Sequence, residues 1–215
     1  MTPNIRRLSA FRHVVPWLLV ASVLGLSSPA RAQDLPRVII RTAMGDMEAE
    51  IDTIRAPVTS ANFLRYVDEH RLDGTDFYRG MEVGPTAGLI QGGPSGAADR
   101  VLPPIAHEPT SETGLSHIDG ALSMARFDPG TATGDFFIIV GNLGSLDAGR
   151  GAPGDPGFAV FGRVVEGMDV VRRILAGPKS ATEGEGFMRG QMLDPRVRIV
   201  SVRRVDAAPA DAAAE

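Results

Sequence analysis

Glycine and proline cut this chain into short pieces. Between the breaks lie eight brief segments with apolar residues, several of them β-branched or aromatic: 37–43 (RVIIRTA), 47–51 (MEAEI), 76–79 (DFYR), 88–91 (GLIQ), 120–125 (GALSMA), 135–140 (DFFIIV), 158–165 (FAVFGRVV) and 196–205 (RVRIVSVRRV). Short runs of this kind, bounded by turn-forming residues, read as strands, and the first two as a hairpin around Gly45. Only two stretches have helical spacing. Pro57 opens one that sets Phe63, Leu64 and Val67 against Arg65, Asp68 and Glu69 and is expected to run to His70. Gly167 leads the other, which runs through Ile174 and is stopped by Gly177-Pro178. Many short strands with two helices and no βαβ alternation predict an antiparallel β-barrel capped by helices.

The first 32 residues read as a targeting leader. Arg6, Arg7 and Arg12 precede an apolar run over 14–26, and Ala30-Arg31-Ala32 offers small residues where a signal peptidase reads. That run is shorter than the roughly 20 residues of a membrane span. Cleavage between Ala32 and Gln33 is expected, with release into the periplasm; an uncleaved anchor is the alternative. Residues 33–205 would then form the domain, and the Ala/Asp/Pro-rich 206–215 a disordered tail. The formal charge of −4 becomes −8 once the leader's four arginines are gone. Such a balance disfavours nucleic acid and anionic membrane as partners, since both reward basic patches. There is no cysteine, so stability rests on the core instead of disulfides. His70, His107 and His117 lack zinc-site spacing, and 146–157 (LDAGRGAPGDPG) lacks the regular ligands and terminal Glu of an EF-hand. No metal or cofactor is indicated. Ser123 has no matched His and Asp partners in the sequence, which gives serine hydrolysis no support.

The stretch GALSMARFDPGTATGDFFIIV (120–140) sets two apolar runs around a polar loop, with no catalytic group of the usual kinds except Asp135. Together with APVTSANF (56–63), DGTDFYR (73–79), LIQGG (89–93) and FAVFGRVVEGMDVVRRI (158–174), it resembles the cyclophilin family of peptidyl-prolyl cis-trans isomerases, over about residues 38–205. The resemblance implies a mainly β fold: a closed antiparallel eight-stranded barrel capped by two α-helices. It also implies a reaction that needs no nucleophile. Rotation about an X–Pro bond meets a barrier of about 18–20 kcal/mol from amide resonance. As resonance is lost, the prolyl nitrogen gains a lone pair, and a fixed cation donating to it favours the twisted state.

The resemblance carries over residue by residue. Arg79 matches the catalytic arginine, and Gln91 the glutamine that holds the substrate backbone. Phe137 matches the floor of the proline pocket, with Leu89, Leu146 and Phe158 around it. Ala125 and Arg126 match the strand against which the peptide lies. This chain departs from the pattern at Tyr78 (usually His), Gly88 (usually Phe), Asp135 (usually Gln), Ser145 (often Trp) and Phe158 (His or Tyr). It also has extra residues between Arg79 and Gln91, and Met81 is a candidate for the missing wall. The function implied is isomerisation of Xaa-Pro bonds in unfolded or extended proteins, assisting folding in the cell envelope, by a monomer. The alternative is a catalytically weak module that binds proline-containing peptides.

Overall fold

The computed structural model describes residues 34–205; the expected leader and tail lie outside the described residues. Eight strands follow in chain order: β1 (Arg37–Thr42), β2 (Gly45–Ile51), β3 (Asp76–Val83), β4 (Ala87–Gly93), β5 (Ala121–Met124), β6 (Phe136–Val140), β7 (Ala159–Glu166) and β8 (Met192–Arg204). Their spatial order is β1-β2-β7-β5-β6-β4-β3-β8, closed through antiparallel pairing of β1 with β8. The barrel expected from the sequence is the one found. Closure leaves no free sheet edge to template aggregation.

Two of the three α-helices among the described residues are those expected. α1 (Pro57–Asp68) starts at its proline and ends two residues before His70, and α3 (Met168–Leu175) follows Gly167, whose φ of 85° suits glycine. Between them comes a four-residue helix, α2 (Thr110–Thr113), an addition to the expected pair. Its Pro109 start and left-handed Gly114 end are ordinary helix signals, but four residues show no periodicity. The residue before α1, Ala56, offers no side-chain cap. The Glu108 carboxylate supplies it from far along the chain, accepting from Val58 N at 3.0 Å and from Thr59 N and Oγ1 at 2.7 and 2.6 Å. A negative charge at this end also complements the helix dipole.

Strand alternation sorts the barrel's side chains into two apolar clusters. Along β6, Phe136, Ile138 and Val140 enter the main core, while Phe137 and Ile139 enter a second, smaller cluster. The main core also takes Phe63 from α1 and Phe77 and Phe161 from β3 and β7. Phe136 meets Phe63 edge-on at 5.4 Å and Phe77 at 5.7 Å. Each such ring contributes about 1.5–3 kcal/mol by burial. Gly162 explains the glycine inside FAVFGRVV: a Cβ there would lie 2.5 Å from the Glu50 carbonyl oxygen on the neighbouring strand.

β8 begins four residues earlier than expected, across Pro195. Its pairing with β3 jumps from Phe77↔Val197 to Arg79↔Met192, so the intervening residues, Pro195 among them, bulge out of the ladder. A proline is tolerated there because no ladder hydrogen bond is asked of it.

Candidate functional site

The second cluster lies on the face of the sheet opposite to the main core, and the expected site residues gather around it. Cross-strand register explains why. Arg79 on β3 is paired with Gln91 on β4, Gln91 with Phe137 on β6, Phe137 with Ser123 on β5, and Ser123 with Val160 on β7. Directly paired residues project to the same face, so residues up to 81 positions apart form one transverse row. Leu89, Phe137 and Val160 are in the second cluster, with Leu146, Phe158, Ala125 and Met81 packed against it.

Arg79 is buried, only 8% exposed. Its Nη1 donates to Gln91 Oε1 at 2.8 Å, its Nε to Gln191 Oε1 at 2.8 Å, and its Nη2 to the Met81 sulfur at 3.4 Å. A guanidinium has five N–H donors, so one N–H on each terminal nitrogen remains without a partner among the described residues. Burial pulls its pKa below the ordinary arginine value. The group still stays charged at working pH, and in a less polar setting its donors act more strongly.

The departures from the family pattern at Tyr78 and Asp135 turn out to be partners. Since Arg79 can only donate, Gln91 must present its oxygen there and its Nε2 to the Tyr78 hydroxyl, at 2.8 Å. Tyr78 then donates to Asp135 Oδ1 at 3.3 Å, which also accepts from Ser95 N at 2.9 Å. The chain Arg79–Gln91–Tyr78–Asp135 fixes the rotamer of Gln91. Desolvation raises the Asp135 pKa, and burial followed by the nearby Asp135 charge raises that of Tyr78.

A second polar chain underlies Phe137. The His117 ring stacks on it with centroids 6.0 Å apart and planes within 13°. Nδ1 of His117 donates to Asp147 Oδ1 at 2.6 Å, so the neutral ring's Nε2 accepts from Ser123 Oγ at 2.9 Å. Serine, histidine and aspartate are thus in line, although the sequence shows no such partners. Ser123 and His117 are both fully buried, so no substrate carbonyl can reach the hydroxyl, and the chain serves as a support. Burial outweighs the Asp147 hydrogen bond and lowers the His117 pKa, keeping the ring neutral. Asp147 is therefore committed to His117 and Ser116.

The remaining walls assemble from loops. Leu146, on a short 3-10 turn (Gly144–Leu146), accepts at its carbonyl from Phe158 N at 3.0 Å. The Phe158 ring meets Phe137 edge-on at 5.4 Å and carries the Arg126 guanidinium over its face at 4.8 Å. Arg126 also donates from Nε and Nη2 to the Gly157 carbonyl. β5 stops at Met124, so Ala125 and Arg126 lie just past it, with Ala125 N bonded to the Asp135 carbonyl at 2.9 Å. Ser145 is exposed and adds no wall.

Gly88 has a steric reason. The extra residues lengthen the β3–β4 hairpin, with Glu82 paired to Gly88, and a Cβ at 88 would fall 2.4 Å from the Met81 carbonyl oxygen and 2.9 Å from Leu175 Cδ2. No aromatic side chain can stand there, and Met81 occupies the adjacent flank. Sequence reasoning missed Gln191 and Phe187, which come from the loop before β8. The Phe187 ring lies 5.4 Å from the Arg79 guanidinium carbon.

A family model described as cyclophilin type peptidyl-prolyl cis-trans isomerase/CLD matches residues 37–204. The chain belongs to this family. Among similar cyclophilins is the peptidyl-prolyl cis-trans isomerase of Acinetobacter baylyi, 38% identical over 189 residues that cover 86% of this chain and 94% of the relative. Isomerase B of Escherichia coli is 35% identical, covering 77% of this chain and 97% of its own. A solved cyclophilin of Cryptosporidium parvum superposes with a TM-score of 0.63 at 20% identity, covering 81% of this chain and 99% of that one. At that identity it supports the fold alone. This cyclophilin is accordingly an isomerase, with a barrel that matches the family's.

Proposed function

We propose that this cyclophilin isomerises Xaa-Pro bonds in unfolded or extended proteins, with Arg79 as the catalytic residue and Phe137 as the floor beneath the proline ring. The observation that carries the reading is the transverse row. It sets a buried guanidinium, with N–H groups to spare, two strands away from an aromatic floor. Gln91 lies between them, where its side chain steers the guanidinium. An N–H of Arg79 aimed at the prolyl nitrogen strengthens as that nitrogen loses amide resonance, so the twisted state gains more than either planar one. The site is held by hydrogen bonds before substrate arrives, and little reorganisation is needed during rotation. Leu89, Leu146 and Phe158 would keep water from the ring, while Ala125 and Arg126 would lie along the peptide.

A dipeptide Ala-Pro accompanies one of the solved cyclophilins of Cryptosporidium parvum, 21% identical to this chain. Such a dipeptide, extended to Ala-Ala-Pro-Ala, is a suitable probe. Exchange spectroscopy by NMR on that peptide should show cis–trans exchange accelerated by catalytic amounts of the protein. Uncatalysed exchange rates at a protein concentration that shifts the peptide resonances would leave a binding module in place of an enzyme.

The leader-like sequence over 1–32 supports export and cleavage at Ala32/Gln33, and the acidic remainder argues against nucleic acid or anionic membrane as partners. The protein would then act in the periplasm, as a monomer, on proline-containing clients. Intact mass of the protein recovered from the envelope tests this: a chain beginning at Gln33 is expected, and a full-length chain in the membrane fraction would contradict it.

A further inference from the structure

The loop between α3 and β8 is held in shape over the row. At its base Ser180 N donates to the Met192 carbonyl at 2.9 Å, and Gly190 N to the Glu183 carbonyl at 3.1 Å. The Gly80 N–H of β3 donates to the Gln191 carbonyl at 2.9 Å, which fastens the loop beside Arg79. The Gln191 side chain makes a second link: Oε1 accepts from Arg79 Nε, and Nε2 donates to the Phe187 carbonyl at 2.8 Å. Phe187 is thereby set beside the guanidinium while the residue as a whole stays 78% exposed. The ring is thus fixed beside the cationic donor with most of its surface free to meet a bound peptide.

We infer that Phe187 is a specificity-determining wall of the site, which packs against an apolar side chain flanking the proline in the bound peptide. The inference rests on the proposed role of Arg79. A peptide whose prolyl nitrogen faces that guanidinium passes close to a ring centred 5.4 Å from its carbon, and one extended residue spans roughly 3.3–3.6 Å. A residue next to the proline, or one further along, is therefore within reach of the ring. Gly88 and Ser145 provide no aromatic wall, whereas Phe187 brings one in from a different part of the chain. Gln191 is the positioning residue: it ties the loop that carries this wall to the donor.

The test is a series of tetrapeptides Ala-Xaa-Pro-Yaa in which Xaa, then Yaa, is Gly, Leu or Phe, with kcat/KM measured for the wild type and Phe187→Ala. The wild type should prefer Leu or Phe over Gly at one of the two positions. In Phe187→Ala that preference ratio should fall by about fivefold or more, in line with removal of an aromatic anchor. Gln191→Ala should lower the same ratio and reduce kcat as well, because Arg79 loses an acceptor. An unchanged ratio in an active Phe187→Ala protein would overturn the inference and leave the proposed function standing. Absence of catalysis by the wild type on every peptide would overturn both.

Discussion

Phe136 and Phe137 are neighbours in the chain and belong to different parts of the molecule. Phe136 points into the barrel among Phe63 and Phe77, where its surroundings are apolar on every side. Phe137 points out, onto a face where its neighbours are a histidine ring, Phe158 and, one strand beyond, Gln91. The inner face asks only for apolar volume at alternate positions, and many residues meet that demand. The outer face asks for particular chemistry at particular positions, and its residues come from strands and loops far apart in the chain. The first region should therefore govern stability and the second activity.

The largest effect expected on stability is Phe136→Ala, at about 3–5 kcal/mol, typical of a deleted core aromatic. Measured well below its unfolding temperature, that variant should keep most of its kcat/KM. Phe137→Ala should lose less stability, because its cavity opens toward the groove, and should lose about tenfold or more in kcat/KM, equivalent to about 1.4 kcal/mol. Equal effects of the two on both readouts would break the comparison. Next comes Gly88→Phe, which restores the family's usual residue. With no room for a Cβ beside the Met81 carbonyl, it should cost roughly 1–3 kcal/mol and bring no gain in rate. A more active variant of undiminished stability would contradict this steric account of Gly88.

Smaller again is Glu108→Ala, which removes the remote cap of α1. Urea unfolding should show a loss of about 1–2 kcal/mol with kcat/KM unchanged. Asp135→Asn should have the smallest effect, and its sign depends on pH. Burial raises the folded-state pKa of Asp135 above its ordinary 3.8. Its contribution to stability is thus fully present below about 3.8 and lost as pH rises through the folded value. Asparagine does not titrate and still accepts from Ser95 and Tyr78. Asp135→Asn should therefore be more stable than the wild type at pH 7, with the gain shrinking toward pH 4. A gain that grows on acidification would refute this.

The same contrast accounts for what could be read in the sequence. The eight strands and two of the three helices were legible because alternation and helical spacing are local signals. Arg79, Gln91, Phe137 and Phe158 were legible only through their motifs, and Arg79's burial was not, because Gln191 covers it from 112 residues away. That Ser123 has His117 and Asp147 as partners was not legible, because the fold, not the sequence, aligns the three. Tyr78 and Asp135 looked like two separate losses and are one hydrogen bond. α2 carried its start and stop signals, but at four residues it had no periodicity to detect. The start of β8 was hidden by Pro195, which a bulge accommodates.

The central claim is that Arg79 performs the isomerisation from the outer face. Cis–trans exchange of Ala-Ala-Pro-Ala measured by NMR for Arg79→Ala, in a protein shown to unfold cooperatively, tests it most directly. The expected result is a fall in kcat/KM on the order of 10²-fold, the typical loss when one preorganised donor is removed. A folded Arg79→Ala protein that isomerises the peptide at the wild-type rate would contradict the account.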